Sequence, residues 1–190
     1  VIRALLLIWP DAAKEKAKLR LTPLHLACQS KASIDVVDAL VTSWIYAVKE
    51  KDASGRTPLY YACTSGASLA IVQSLVDLWL EAAENRNTHS VESLIGKNTL
   101  SEVKNLLLNI SSLFNENQSN PSPYEVMSFF IGTNWWNGAF LVIDEYPAVI
   151  KTLGLHIKVM ADYLSAVGKC CSLTTMFKVI QNEPELLEGV

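Results

Sequence analysis

Apolar residues in the first half of the chain recur every three or four positions, in blocks that themselves repeat. Val37, Leu40, Val41 and Trp44 fall on one face of a helix. The same pattern returns in "IVQSLVDLWL" (71–80) and opens the chain as "VIRALLLIWP", without a gap in the alignment. Trp9, Trp44 and Trp79 stand 35 apart, as do Ala12, Ala47 and Ala82, and Leu5, Leu40 and Leu75. A fixed period of this size predicts stacked units, each burying its apolar face on its neighbours.

Within each period the polar positions supply the punctuation. Thr22–Pro23 and Thr57–Pro58 predict helix starts: the hydroxyl accepts from a free first-turn amide, and Pro at the first helical position forfeits no bond. Short helices are predicted over about 23–30 and 58–65, followed by the turns "KAS" and "GAS" and then the longer amphipathic helix. A polar loop rich in Lys, Glu and Asp closes the unit, with Gly55 suited to a tight hairpin. The expected organisation is a trailing half-unit at 1–21 and full units at 22–56 and 57–91, with 92–190 as divergent helical hairpins or a helical cap. In that second half the Thr-Pro phrase disappears. Helical pattern persists at 100–114, 123–131, 135–145, 155–167 and 172–182, with "NENQSNPSP" (115–123) as a polar loop. Pro147 and Pro184, 37 apart, each follow a helical stretch as Pro10 does. The expected fold class is therefore an all-α helical solenoid. The chain opens within a unit, at Val1, and reads as a piece of something longer whose Leu5, Leu6 and Ile8 present apolar surface for self-association.

Composition narrows the function more than the fold. Half of the 190 residues are apolar and 18% are charged, against roughly a quarter in typical soluble domains, which fits helices buried on more than one side. The net charge of -3 indicates neither nucleic acid nor an acidic disordered tail. No apolar run reaches the ~20 residues of a membrane span. Four cysteines do not make a disulfide framework: Cys28 and Cys63 close equivalent phrases, and Cys170 and Cys171 are adjacent, a strained geometry for pairing. A reduced, intracellular, cytoplasmic chain is the expectation. The sequons at Asn109 and Asn117 read as chance triplets.

"TPLHLAC" (22–28) and "TPLYYAC" (57–63) resemble the ankyrin repeat, and "LLLIWPDAAKEK" is similar to its long Trp-Pro-containing variety, common in diatom genomes. The resemblance implies helix–turn–helix units joined by hairpin fingers. In such units Gly66 sits at the turn glycine; Lys31 holds that slot one unit earlier, where a reshaped turn is expected. The resemblance further implies a non-enzymatic scaffold presenting a concave surface to a protein partner. It places Leu21, Gln29, Ser30, Arg56, Thr64 and Ser65 at the variable, partner-facing positions. Lys16, Lys18, Arg20, Lys51, Asp52, Arg86 and Asn87 stand at finger tips, where charge steers and registers a partner.

Chemistry-bearing side chains fit architecture better than catalysis. His25 has Tyr60 as its counterpart, and a phenol cannot replace a base or a ligand, whereas a packing role survives the exchange. The Trp9–Trp44–Trp79 ladder is expected in the core, and one helix face cannot bury both Trp135 and Trp136. The alternative function is a regulatory module whose ankyrin part recruits a client while the C-terminal helices, by catalysis or by redox response at Cys170 and Cys171, or a missing domain acts on it. His156 and Asp162 would complete a nucleophile's parts list, but on one continuous helix His156 and Cys170 would stand ~21 Å apart. No phosphate-cradling loop or zinc spacing occurs, so neither metal nor cofactor is expected.

Overall fold

The computed structural model describes residues 2–115 and 121–149, and every regular element among them is helical. The expectations for Asn117, His156, Asp162, Cys170, Cys171, Pro184 and the helices at 155–167 and 172–182 lie outside the described residues. The chain divides into two compact units, Val1–Ser111 and Ser112–Val190.

In the first unit, helices α1 (Ile2–Ile8), α2 (Pro23–Gln29), α3 (Ile34–Ser43), α4 (Pro58–Ser65) and α5 (Leu69–Trp79) realise the repeat. Each Thr-Pro phrase caps its helix as the sequence predicts: Thr22 and Thr57 accept from the amides of His25 and Tyr60. Both short helices end in the same C-terminal motif. Ala32 N–H reaches back to Ala27 O, and Ala67 N–H to Ala62 O, both at 2.9 Å. The motif needs a left-handed residue, and both Lys31 (φ 55°) and Gly66 (φ 77°) adopt that backbone. The turn at Lys31 is thus not reshaped as expected; the lysine adopts glycine's conformation, at a cost of about 1–2 kcal/mol.

Small residues decide how the units stack. α2 packs on α4 and on α3, and Ala27, Cys28, Ala62 and Cys63 are all buried. Side chains of this size let helix axes approach closely. Leu24, Leu59, Val37, Val72 and Leu75 are fully buried around them, each contributing about 1.5–3 kcal/mol. After each long helix comes an element that periodicity does not show, a 3₁₀ turn at Pro10–Lys14 and again at Ile45–Lys49. The Trp ladder is only partly core. Trp79 is 7% exposed, Trp44 is half-buried and Trp9 is 51% exposed. Trp9 and Trp44 lie in non-helical backbone just past their helices, whereas Trp79 is still inside α5. On α1 the exposed large apolar residues are Leu5, Leu7 and Ile8. Leu6, expected at the surface, is buried, and α1 packs on α3.

A third helix pair continues past residue 91. α6 (Thr88–Glu92) begins at Asn87, whose side-chain oxygen accepts from Ser90 N–H at 2.8 Å, and α7 (Ser101–Leu113) follows. The division expected at 91/92 would cut α6 within its last turn. From Thr57 to Asn87 the spacing is 30 rather than 35, so the intervening finger is shorter. Gly96 lies so close to α4 that a Cβ there would meet Thr64 Cγ2 at 2.8 Å.

The second unit holds α8 (Pro123–Gly132) and α9 (Trp136–Glu145), packed on each other. Its local design repeats that of the first unit with different residues. Ser122–Pro123 replaces Thr-Pro, and Glu125 closes the cap box by accepting from Ser122 N–H at 2.7 Å, as His25 does for Thr22. Asn134 (φ 55°) takes the left-handed position, and Trp135 N–H reaches Phe130 O at 2.8 Å. Tyr146 and Pro147 then follow α9 as Trp9 and Pro10 follow α1. Trp135 is buried edge-on against Phe130, 4.7 Å between ring centres, while its neighbour Trp136 is 39% exposed. One face indeed does not bury both.

Candidate protein-binding surface

The surface is set by what holds the fingers. His25 is fully buried, and its ring joins the start of α2 to Arg56, the residue that leads into the next unit. Nε2 lies 3.1 Å from Arg56 O, and a carbonyl can only accept, so the proton sits on Nε2. Nδ1 is then the acceptor, for Thr22 N–H at 3.2 Å and the Thr22 hydroxyl at 2.8 Å. Burial holds the imidazole below its usual pKa, against the opposing pull of Arg56 O, Asp52 and Glu50. The structure thus gives the histidine its architectural role. Tyr60, its counterpart, is half-buried and carries the Arg56 guanidinium 5.1 Å over its ring.

Asp52 departs from its expected place at a finger tip facing a partner. It is 6% exposed, and its carboxylate is the organiser of the second finger. Oδ1 accepts from Ser54 N–H at 2.7 Å and Arg56 N–H at 2.8 Å; Oδ2 accepts from the Tyr61 hydroxyl at 2.7 Å. Burial alone would raise this carboxyl, but the bonds from Arg56, Tyr61 and Ser54 outweigh it and hold the pKa low. A carboxylate two residues before one amide and four before another closes the turn itself.

The fingers touch. Ala53 N–H donates to Leu19 O at 2.9 Å, and Lys16 Nζ pairs with Glu50 at 2.8 Å. The structure therefore brings together Lys16, Lys18 and Arg20 on the first finger with Lys51 and Arg56 on the second, all exposed, while Leu21 is half-buried. Gln29 and Ser30 are exposed at the end of α2. Thr64 and Ser65 are half-buried, with Thr64 bonded to Tyr60 O and overlain by Gly96. Arg86 and Asn87 are engaged in the third finger: Arg86 Nε donates to Leu80 O, and Asn87 caps α6 while donating to Glu84 O. The sequence signal for these inward roles was the Asn at a helix start and the Asp before a glycine turn.

Cys28 and Cys63 are buried free thiols, both pushed up to about 12 by burial, Cys63 also by its neighbour Cys28. Neither is poised as a nucleophile. Among the described residues no cluster of His, Cys, Asp and Glu is arranged to hold a metal ion. No helix among them is long and apolar enough to cross a membrane.

Helix pairs bridged by a buried histidine and ending in touching fingers define a helical repeat array. Residues 1–87 match the family model described as ankyrin repeats in three copies, and this segment is similar to that family. No curated protein and no solved structure matches the chain. Ankyrin repeats are in general protein-interaction modules and typically non-catalytic.

Proposed function

We propose that the chain is a scaffold presenting the face formed by α2, α4 and the first two fingers to a protein partner. The observation that carries this reading is the division of labour in the fingers. Their backbones are tied by His25 to Arg56 and by Ala53 to Leu19, so the side chains they display are pre-organised without being used up. Gln29, Ser30, Arg56, Lys18, Arg20 and Lys51 form the contact set. Leu21, Lys16, Thr64 and Ser65 support it, and Asp52, Arg86 and Asn87 shape the fingers. The repeat-like design of 122–149 favours divergent repeats over a separate cap for that segment.

The test is a paired capture from the source lysate, with the native chain and a variant carrying Gln29→Ala, Ser30→Ala and Arg56→Ala. A protein bound by the first and lost by the second supports the reading. Equal capture by both removes this face from the interaction.

A further inference from the structure

The first two fingers carry a charge pattern that the net charge of -3 conceals. Most cations near them are already matched: Lys14 with Asp11, Lys16 with Glu50 and Lys49 with Glu81. Lys18, Arg20 and Lys51 form no ion pair among the described residues, and all three are exposed. The local acids do not answer them. Asp52 is turned inward with both oxygens occupied, Glu50 is held by Lys16, and Glu15 alone stands exposed. Arg56 adds its guanidinium over the Tyr60 ring. The Ala53–Leu19 bond puts the two turns in backbone contact, so these cations share one patch.

An apolar group sits in the middle of that patch. Leu19 is 63% exposed between Lys18 and Arg20. Leu19 (φ 64°) and Arg20 (φ 62°) are consecutive left-handed residues, a strained backbone for side chains of this size. One unit later the Arg20 slot is Gly55 (φ 79°), which adopts the same backbone without strain. The first finger keeps a cation where glycine would fit better.

We infer that the finger Lys18–Leu19–Arg20, with Lys51 and Arg56 beside it, docks an acidic peptide segment of the partner: carboxylates against the cations and an apolar side chain against Leu19. This rests on the scaffold reading above and names the chemistry of the partner. Exposed unmatched cations speed encounter with an acidic partner and fix its register, and the apolar contact supplies attraction that salt does not screen.

Fluorescence anisotropy on the full chain tests it, with a labelled Glu-rich peptide carrying leucine at every third position as the probe. A Lys-for-Glu version and a short oligothymidylate serve as comparisons. The Glu peptide should bind, and about tenfold or more more weakly at high than at low salt. Lys18→Glu with Arg20→Glu should abolish binding. Leu19→Ser should weaken it without changing the salt dependence. Arg20→Gly separates charge from folding, because it relieves the left-handed strain. This variant should unfold at higher denaturant and still bind several-fold more weakly. The inference is overturned if the Glu peptide does not bind, if either charge variant binds like the native chain, or if oligothymidylate binds more tightly. A client still lost on Gln29→Ala, Ser30→Ala and Arg56→Ala would then leave the scaffold reading standing. Only the acidic chemistry would fall.

Discussion

Replacing His25 probes the tie between the start of the first full repeat and Arg56, which leads into the second. In His25→Ala the buried Thr22 N–H loses its acceptor, which costs about 1–3 kcal/mol, and the bond to Arg56 O is lost at about 0.5–1.5 kcal/mol net. Removing a fully buried ring that meets Tyr61 edge-on at 5.8 Å adds a cavity term of about 1 kcal/mol. The sum, about 2.5–5.5 kcal/mol, is a large part of the roughly 5–15 kcal/mol by which domains of this kind are stable. His25→Gln can still accept from Thr22 in a cap box but cannot reach Arg56 in the same way, so it should lose about 1–2 kcal/mol. The two variants also report on pH. Protonation would put N–H on Nδ1, facing the Thr22 donor. The native imidazole is therefore held neutral, with its pKa below the ordinary 6.5. For a depressed histidine the unfolded chain binds the proton first. The stabilisation is thus complete above pH 6.5 and is lost as pH falls through the lowered folded value. Urea unfolding at several pH values between neutral and mildly acidic measures both effects. The native chain should lose stability on acidification that neither variant loses. Parallel pH profiles for native and His25→Gln chains, or a cost below about 1 kcal/mol for His25→Ala, would refute the reasoning.

Lys31→Gly should stabilise the chain by about 0.5–1 kcal/mol, the left-handed penalty less the added freedom of the unfolded chain, read as a shift in urea midpoint. Gly138→Ala should cost about 1–3 kcal/mol by thermal or urea unfolding, because a Cβ there would collide with Trp135 Cε3 and drive the ring off Phe130. In a Cys170→Ser, Cys171→Ser background, a thiol reagent at neutral pH should label Cys28 and Cys63 only on addition of denaturant, since both thiols titrate at about 12 and are buried. Leu5 lines an apolar groove of about 670 Å³ over α2 and α3, and Leu7 and Ile8 stand exposed on the same helix; light scattering should show concentration-dependent self-association that Leu7→Lys with Ile8→Glu abolishes.

What could be read from the sequence was whatever repeats by residue identity. Thr-Pro starts, the buried Cys28 and Cys63 slots and the spacing of Leu40 and Leu75 are visible because the same side chain meets the same neighbour one unit on. The 3₁₀ turns at 10–14 and 45–49 were hidden inside loops, since a single turn of local bonds leaves no apolar period. α6 was cut by the expected boundary because Asn87 does the work of Thr-Pro at a spacing of 30. Serine, glutamate and asparagine do the same in 122–134, where the cap, its closure and the left-handed turn survive without the residues that announce them. At the candidate surface, Gln29, Ser30 and Lys18 lie where a solvated polar residue belongs. Asp52 was misplaced because sequence shows its charge but not the two amides and the hydroxyl that converge on it.

The cross-ties of the array have a consequence for its history. Arg3–Asp35, Pro10–Ser43, Lys16–Glu50, Leu19–Ala53, His25–Arg56 and Lys49–Glu81 each join residues 31 to 34 apart. Five of them link a unit to its immediate neighbour, His25–Arg56 ties the start of a unit to its own last residue, and none reaches over a unit. A gene duplication or deletion of one whole unit would keep helices and fingers in register at the new junction, whereas a change of any other length would shift all of these ties together. Array length is thus a quantity that recombination can vary in single steps without first relearning the fold.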